Sequence, residues 1–160
     1  GNDTVQHAGV IIGLGGVAGH IHKNAPRKDP GYFGKLILPQ NLSAVTAACM
    51  LMRKEVFDEV KGLNEKDLTV AFNDIDICLK IREKGYQVIW TPYAELYHLE
   101  SVSRGVDTTP DKIERFKKEI EYMMITWKTD EFNDPYHNPN LSDAFETYTP
   151  AFPPRIENPW

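Results

Sequence analysis

Two aspartates, Asp74 and Asp76, stand two residues apart in the stretch "AFNDIDICLKIREKGY". Such a pair can chelate a divalent cation, divide acid–base work, or stabilise the start of a helix. Helical phase separates these readings. A helix that begins at Asn73 or Asp74 turns by about 100° per residue and gathers Ile75, Ile77, Cys78, Leu79 and Ile81 on one apolar arc of about 200°. Asp74 lies inside that arc. Asp76 falls among Lys80, Glu83 and Lys84 on the polar side, about 160° away, so the two carboxylates are expected to do different jobs. For Asp74 two readings stay open. One is a carboxylate held by the free N–H groups and the dipole of the first turn; the other is a part-desolvated base that takes a proton from a substrate hydroxyl. Arg82 shares the apolar arc, where an unpaired charge is costly, and is expected to pair or to snorkel.

A second group of chemically capable residues surrounds His98, which closes a strand-like segment beside Glu100, Ser101, Ser103 and Arg104. A histidine there can serve as a metal ligand or as a structural group. His7, His20 and His22 read as loop residues, and His137 falls in the C-terminal stretch. Cys49 and Cys78 each sit in an apolar run without CxxC spacing, which predicts buried thiols and a reducing, cytoplasmic setting.

The elements that would position these groups follow from local pattern. Residues 5–12 read as a strand, and the glycines of "GLGGVAG" as a tight turn. Their loose resemblance to a dinucleotide fingerprint fails because Pro26 intervenes before a helix develops and the acidic partner is missing. "SAVTAACMLM", Ser43 to Met52, reads as a central strand covered on both faces. "RKEVFDEVKG" reads as a short helix that buries Val56, Phe57 and Val60 and closes at Gly62. "YQVIWTPYAEL" predicts one strand into Pro92 and a second leading to Tyr97 and His98. Thr109 and Pro110 open a long helix whose apolar stripe runs through Ile113, Phe116, Ile120, Met123, Met124 and Trp127. From Thr129 onward, prolines alternate with aromatics, which predicts an extended tail strapped across a domain spanning residues 1–128.

Composition narrows the class. The 160 residues are 41% hydrophobic with a net charge of −5. That suits one core-bearing domain and argues against nucleic acid or an anionic membrane as the partner. No apolar run approaches the ~20 residues of a spanning helix. The chain starts at Gly1 and enters strand-like sequence almost at once, as a piece of a longer protein would.

The segments "VTAACMLMRKEVFDEVKGLNE", "FNDIDICLKIREKGYQVIWTPYAELYH" and "ESVSRG", in this order and spacing, resemble the C-terminal half of family 2 glycosyltransferases. These are the inverting GT-A enzymes that build bacterial surface polysaccharides and glycans. The resemblance spans roughly Val5 to Gly105, and "DPYHNPNLS" is similar to a tail in a bacterial subgroup. It implies an α/β fold, a partial GT-A domain with a mixed sheet and flanking helices, lacking the nucleotide-binding half. It implies Asp74 as the catalytic base, Asp76 as a support, His98 at the divalent metal (Mn or Mg) of the parent enzyme, and Arg104 at the donor diphosphate. Asn73 stands where the family often has Glu. The implied partners are a nucleotide-diphospho-sugar donor and a saccharide or glycan acceptor, with no nucleic acid. The implied location is cytoplasmic, at the inner face of the membrane through the parent protein. Two rivals remain: a non-catalytic glycan-binding or scaffold module on the same half-fold, and a metal-dependent hydrolase using Asp74, Asp76 and His98.

Overall fold

A computed structural model of the chain describes residues 3–98 and 109–156. Strand β1 (Val10–Ile12) pairs antiparallel with β2 (Ala18–His20), Ile11 standing opposite Gly19. Hairpin closure depends on Gly13, whose φ of 87° is left-handed and whose Cβ, were there one, would lie 2.8 Å from the Phe132 carbonyl oxygen. Only glycine meets both conditions. Strand β3 (Gln40–Leu42) pairs antiparallel with β4 (Val88–Trp90). A bridge, Val10 N–H donating to the Ala44 carbonyl at 3.0 Å, ties the first hairpin to the segment just after β3.

The molecule is therefore mixed α/β, but its described strands form two small antiparallel sheets where one mixed sheet was expected. The main cause is the small-residue run after β3. Only Ser43 and Ala44 continue into the interior. At Thr46 the side-chain oxygen accepts from the Ala48 N–H at 3.4 Å and opens a 3-10 turn over Ala47–Cys49. Local side-chain bonding of this kind competes with a strand ladder. The central strand expected over 43–52 is thus absent, Cys49 is exposed rather than buried, and Leu51 is 98% exposed. No second strand forms across 91–98.

The helices follow the sequence pattern more closely. Helix α1 (Lys54–Glu59) buries Val56, with Val60 just beyond it, and the chain turns at Gly62 with φ 64°; Phe57, expected inside, is 38% exposed. Helix α2 (Asn73–Glu83) buries Ile75 through Leu79 without a gap, so it is enclosed nearly all round. Asn73 anchors its start by accepting from the Asn64 N–H at 2.8 Å and donating to the Leu68 carbonyl. Helix α3 (Pro110–Trp127) starts after Thr109, which makes no side-chain cap bond. Its stripe packs in the C-terminal half, through Ile120, Met123 and Trp127, while Ile113 and Phe116 stay more than 40% exposed at 44% and 41%. Phe116 still stacks on Phe72, the residue before α2, at 5.6 Å.

Beyond α3 the chain lies against the first hairpin. Asp134 is buried, and its carboxylate accepts from the Ile12 and Tyr136 N–H groups, both at 2.8 Å. Gly15 N–H donates to the Asp143 carbonyl at 2.8 Å, and Tyr148 stacks on Tyr32 at 4.4 Å. The larger core gathers Val10 and Ile12 of β1, Ala44 just after β3, α1, α2, Val88 of β4 and Met123; a smaller one joins Ile11, Leu14, Ile21 and Leu42.

Candidate functional site

The site is built from the start of α2. Phe72 takes a left-handed backbone (φ 63°), which turns the chain into the helix and leaves Asp74 in its first turn, half-buried. One carboxylate oxygen accepts from the Ile75 N–H at 3.0 Å and the other from the Ala47 N–H at 3.1 Å. The second bond fastens α2 to the exposed turn after β3. Both contacts are backbone N–H groups, and among the described residues no cation pairs with Asp74.

Asp76 has a different fate from the one its phase implied. It is fully buried, not on a solvated face. One oxygen accepts from the indole N–H of Trp127 at 2.9 Å and the other pairs with Lys80 at 2.7 Å. The end of α3 covers the polar side of α2 at Asp76 alone, leaving Glu83 and Lys84 exposed, and Trp127 supplies the donor that makes burial tolerable. The divergence of the two aspartates stands: Asp74 faces the 3-10 turn, Asp76 faces α3. Arg82 pairs, as expected, donating to the Ser43 hydroxyl at 2.8 Å with its guanidinium 5.3 Å from the Tyr136 ring centroid.

His98 is exposed and its Nδ1 lies 2.8 Å from the Gln6 side-chain oxygen. Arg104, with Glu100, Ser101 and Ser103, lies outside the described residues. Among the described residues no three His, Cys, Asp or Glu side chains gather where they could hold a metal ion. A metal centre built from Asp74, Asp76 and His98 does not fit this geometry.

Asp74 and His98 are nonetheless linked through the N-terminal segment. Gln6 touches His98, and its neighbour His7 accepts the Thr46 N–H on Nε2 at 3.2 Å. The next residue, Ala47, holds Asp74. His7 Nδ1 lies 3.0 Å from His20 Nδ1 with the rings edge-on. Burial, and then the neighbouring His20, push the His7 imidazole down to about 3, so it is neutral in neutral solution. His7 lies in the loop ahead of β1, as its sequence context implied, whereas His20, also expected in a loop, belongs to β2.

Three structural carboxylates and rings escaped the sequence reading. Asp134 gave no signal, standing among prolines. His7 gave no signal beyond a polar residue near the start of the strand-like run 5–12. Glu119 did leave one: it falls three residues after Phe116 and four before Met123, on the apolar stripe itself. It is 1% exposed and accepts from the N–H groups of Val70 and Ala71, at 2.9 and 3.2 Å, and from the Thr69 hydroxyl at 3.1 Å.

Among known proteins, the chain is 60% identical over 138 residues to the uncharacterized protein y4gI of Sinorhizobium fredii, covering 86% of this chain and 15% of that protein. It is 34% identical over 140 residues to the O-antigen biosynthesis protein RfbC of Myxococcus xanthus, covering 87% of this chain and 11% of that one. The chain thus spans only a small part of both relatives. No family model matches it. No solved structure matches it. Among the described residues, no helix is long and apolar enough to cross a membrane.

Proposed function

We propose that these residues form the acceptor side of a glycosyltransferase of surface-polysaccharide assembly, with Asp74 as the catalytic base. The observation that carries this reading is the contrast between the two aspartates. Asp76 is committed to Trp127 and Lys80, whereas among the described residues Asp74 is held by two backbone N–H groups and pairs with no cation, at the half-exposed start of a helix. A carboxylate so held has a set position from which to take a proton. The similarity to an O-antigen biosynthesis protein supports a place in glycan assembly. The resemblance of the α2 and His98 segments to inverting GT-A transferases supports the reaction type.

In this reading the acceptor hydroxyl gives its proton to an Asp74 oxygen as its own oxygen attacks the anomeric carbon of a nucleotide-diphospho-sugar. The bond from that carbon to the diphosphate oxygen breaks, the nucleoside diphosphate leaves, and the configuration inverts. Asp76 acts at a distance by fixing α2 against α3.

The test is Asp74→Asn in the full-length protein that carries these residues, assayed as nucleoside diphosphate release from a panel of UDP-, GDP- and dTDP-hexoses with oligosaccharide acceptors. Removing a general base lowers turnover by about 10²–10⁴-fold. Donor affinity, read by calorimetry, is expected to stay within threefold of the parent, on the order of the scatter of a surface substitution. Undiminished turnover in the variant sinks the assignment. Oligosaccharide binding by a parent protein that turns over none of these donors favours a non-catalytic glycan-binding module instead.

A further inference from the structure

We infer that His7 is a positioning residue for Asp74, acting through the backbone of Thr46 and Ala47. The inference rests on the reading of Asp74 as the base and deepens it.

The geometry leaves His7 one arrangement of protons. Nε2 accepts the Thr46 N–H at 3.2 Å, so the proton of the neutral ring sits on Nδ1. That proton points at His20 Nδ1, 3.0 Å away, which must accept it. The ring is therefore fixed at both nitrogens, and its tautomer is set by its neighbours. The amide it captures belongs to the residue before Ala47, whose own N–H is the tether of Asp74. Residues 47–49 have exposed side chains and no ladder partner in either sheet, and besides the Asp74 tether the neighbouring bond to α2 among the described residues is the Cys78 thiol to the Val45 carbonyl at 3.7 Å. Thr46 receives support from two directions: His7 holds its N–H, and its hydroxyl starts the 3-10 turn by accepting from Ala48. Removing the imidazole acceptor frees the turn at its first residue. The Ala47 N–H, and with it the Asp74 oxygen, then loses its fixed place. A misplacement of about 1 Å at a reacting group costs on the order of 10²-fold in rate.

A matched pair of substitutions separates positioning from bulk packing. The side-chain oxygen of Gln reaches the place of Nε2, whereas Asn is one carbon short and reaches only the place of Nδ1. In the full-length protein, His7→Asn is expected to lower kcat by about 10–100-fold with donor KM unchanged, and His7→Gln to restore most of it. In ¹⁵N-labelled parent protein, a through-hydrogen-bond coupling between the Thr46 amide and His7 Nε2 is expected. The Ala47 amide resonance should move on Asp74→Asn in the parent and in His7→Gln, and should not move in His7→Asn. Equal kcat for the Asn and Gln variants, or an Ala47 amide that responds alike in both, overturns the proposal. Should His7→Asn fail to fold, the coupling in the parent decides, and its absence overturns the proposal. Wild-type turnover in Asp74→Asn overturns the base assignment alone, whatever the His7 variants do, because the amide response reports the tether without reference to chemistry.

Discussion

At the scale of single residues, the fates of Asp74 and Asp76 depend on which donors reach them. Asp76 is a carboxylate with no exposed surface, and its burial is tolerable because an indole N–H and an ammonium group meet its two oxygens. Trp127→Phe keeps an aromatic ring but removes the donor at 2.9 Å together with part of the indole bulk that packs on the core. A buried acceptor left without its partner costs about 1–3 kcal/mol. Urea unfolding of the variant should therefore show a lower midpoint at unchanged slope, the sign of lost stability without a change in compactness. Asp76→Asn should cost less than Asp76→Ala, since the amide oxygen still accepts from Trp127. A Trp127→Phe midpoint equal to that of the parent would show that the indole bond contributes nothing. Phase along one helix could not reveal this, because whether a polar face is wet depends on what the rest of the chain lays over it.

At the scale of elements, the segment before α2 is held from outside by Glu119 of α3, which takes the place that a neighbouring strand would fill. It accepts two successive backbone N–H groups and a hydroxyl at residues 69–71, immediately ahead of Phe72 and the first turn of α2. Glu119→Ala leaves those part-buried donors without their acceptor and leaves Arg115, 3.7 Å away, without that carboxylate. Leaving such a donor unmet costs about 1–3 kcal/mol. Amide exchange should accelerate most at Val70 and Ala71, and turnover of the full-length protein should fall with it because Asp74 sits three residues beyond Ala71. Protection unchanged at those two amides would refute the account. The same contrast explains what was readable in advance. Helices α1, α2 and α3 were legible because a 3.6-residue period and terminal Gly, Thr and Pro residues are local signals. Of the strands, β1 and β4 were legible inside the apolar runs 5–12 and "YQVIW", though shorter than those runs; β2 and β3 were not, each being three residues long, too short for alternation to register. In "SAVTAACMLM" an apolar run that reads as a strand was diverted by one hydroxyl bonding two residues ahead.

At the scale of the whole molecule, the site joins segments far apart in sequence: Gln6 and His7, the turn at 46–47, the start of α2, and His98. Asp74 was legible as a candidate because its motif is local. The role of His7 was not, because its partners lie 13 and 39 residues away. This long-range packing makes stability depend on acid. In the unfolded chain His7 takes up a proton near the ordinary histidine value of about 6.5. In the folded protein burial, with His20 adjacent, holds it down to about 3. Between those limits the unfolded state binds one more proton than the folded state, so stability falls as pH falls, by at most about 1.4 kcal/mol per pH unit from this group. Above about pH 6.5 neither state is protonated and the effect vanishes. His7→Phe isolates it. At pH 7.5 the variant should be less stable than the parent, having lost the acceptor for the Thr46 N–H; lost hydrogen bonds of this kind cost about 1 kcal/mol. Between about pH 6 and pH 4 that difference should shrink steadily and then change sign, since only the parent carries the proton-linked loss. Urea midpoints of the two proteins measured across this range should therefore cross, and midpoints that run parallel would mean that His7 titrates alike in the folded and unfolded chain.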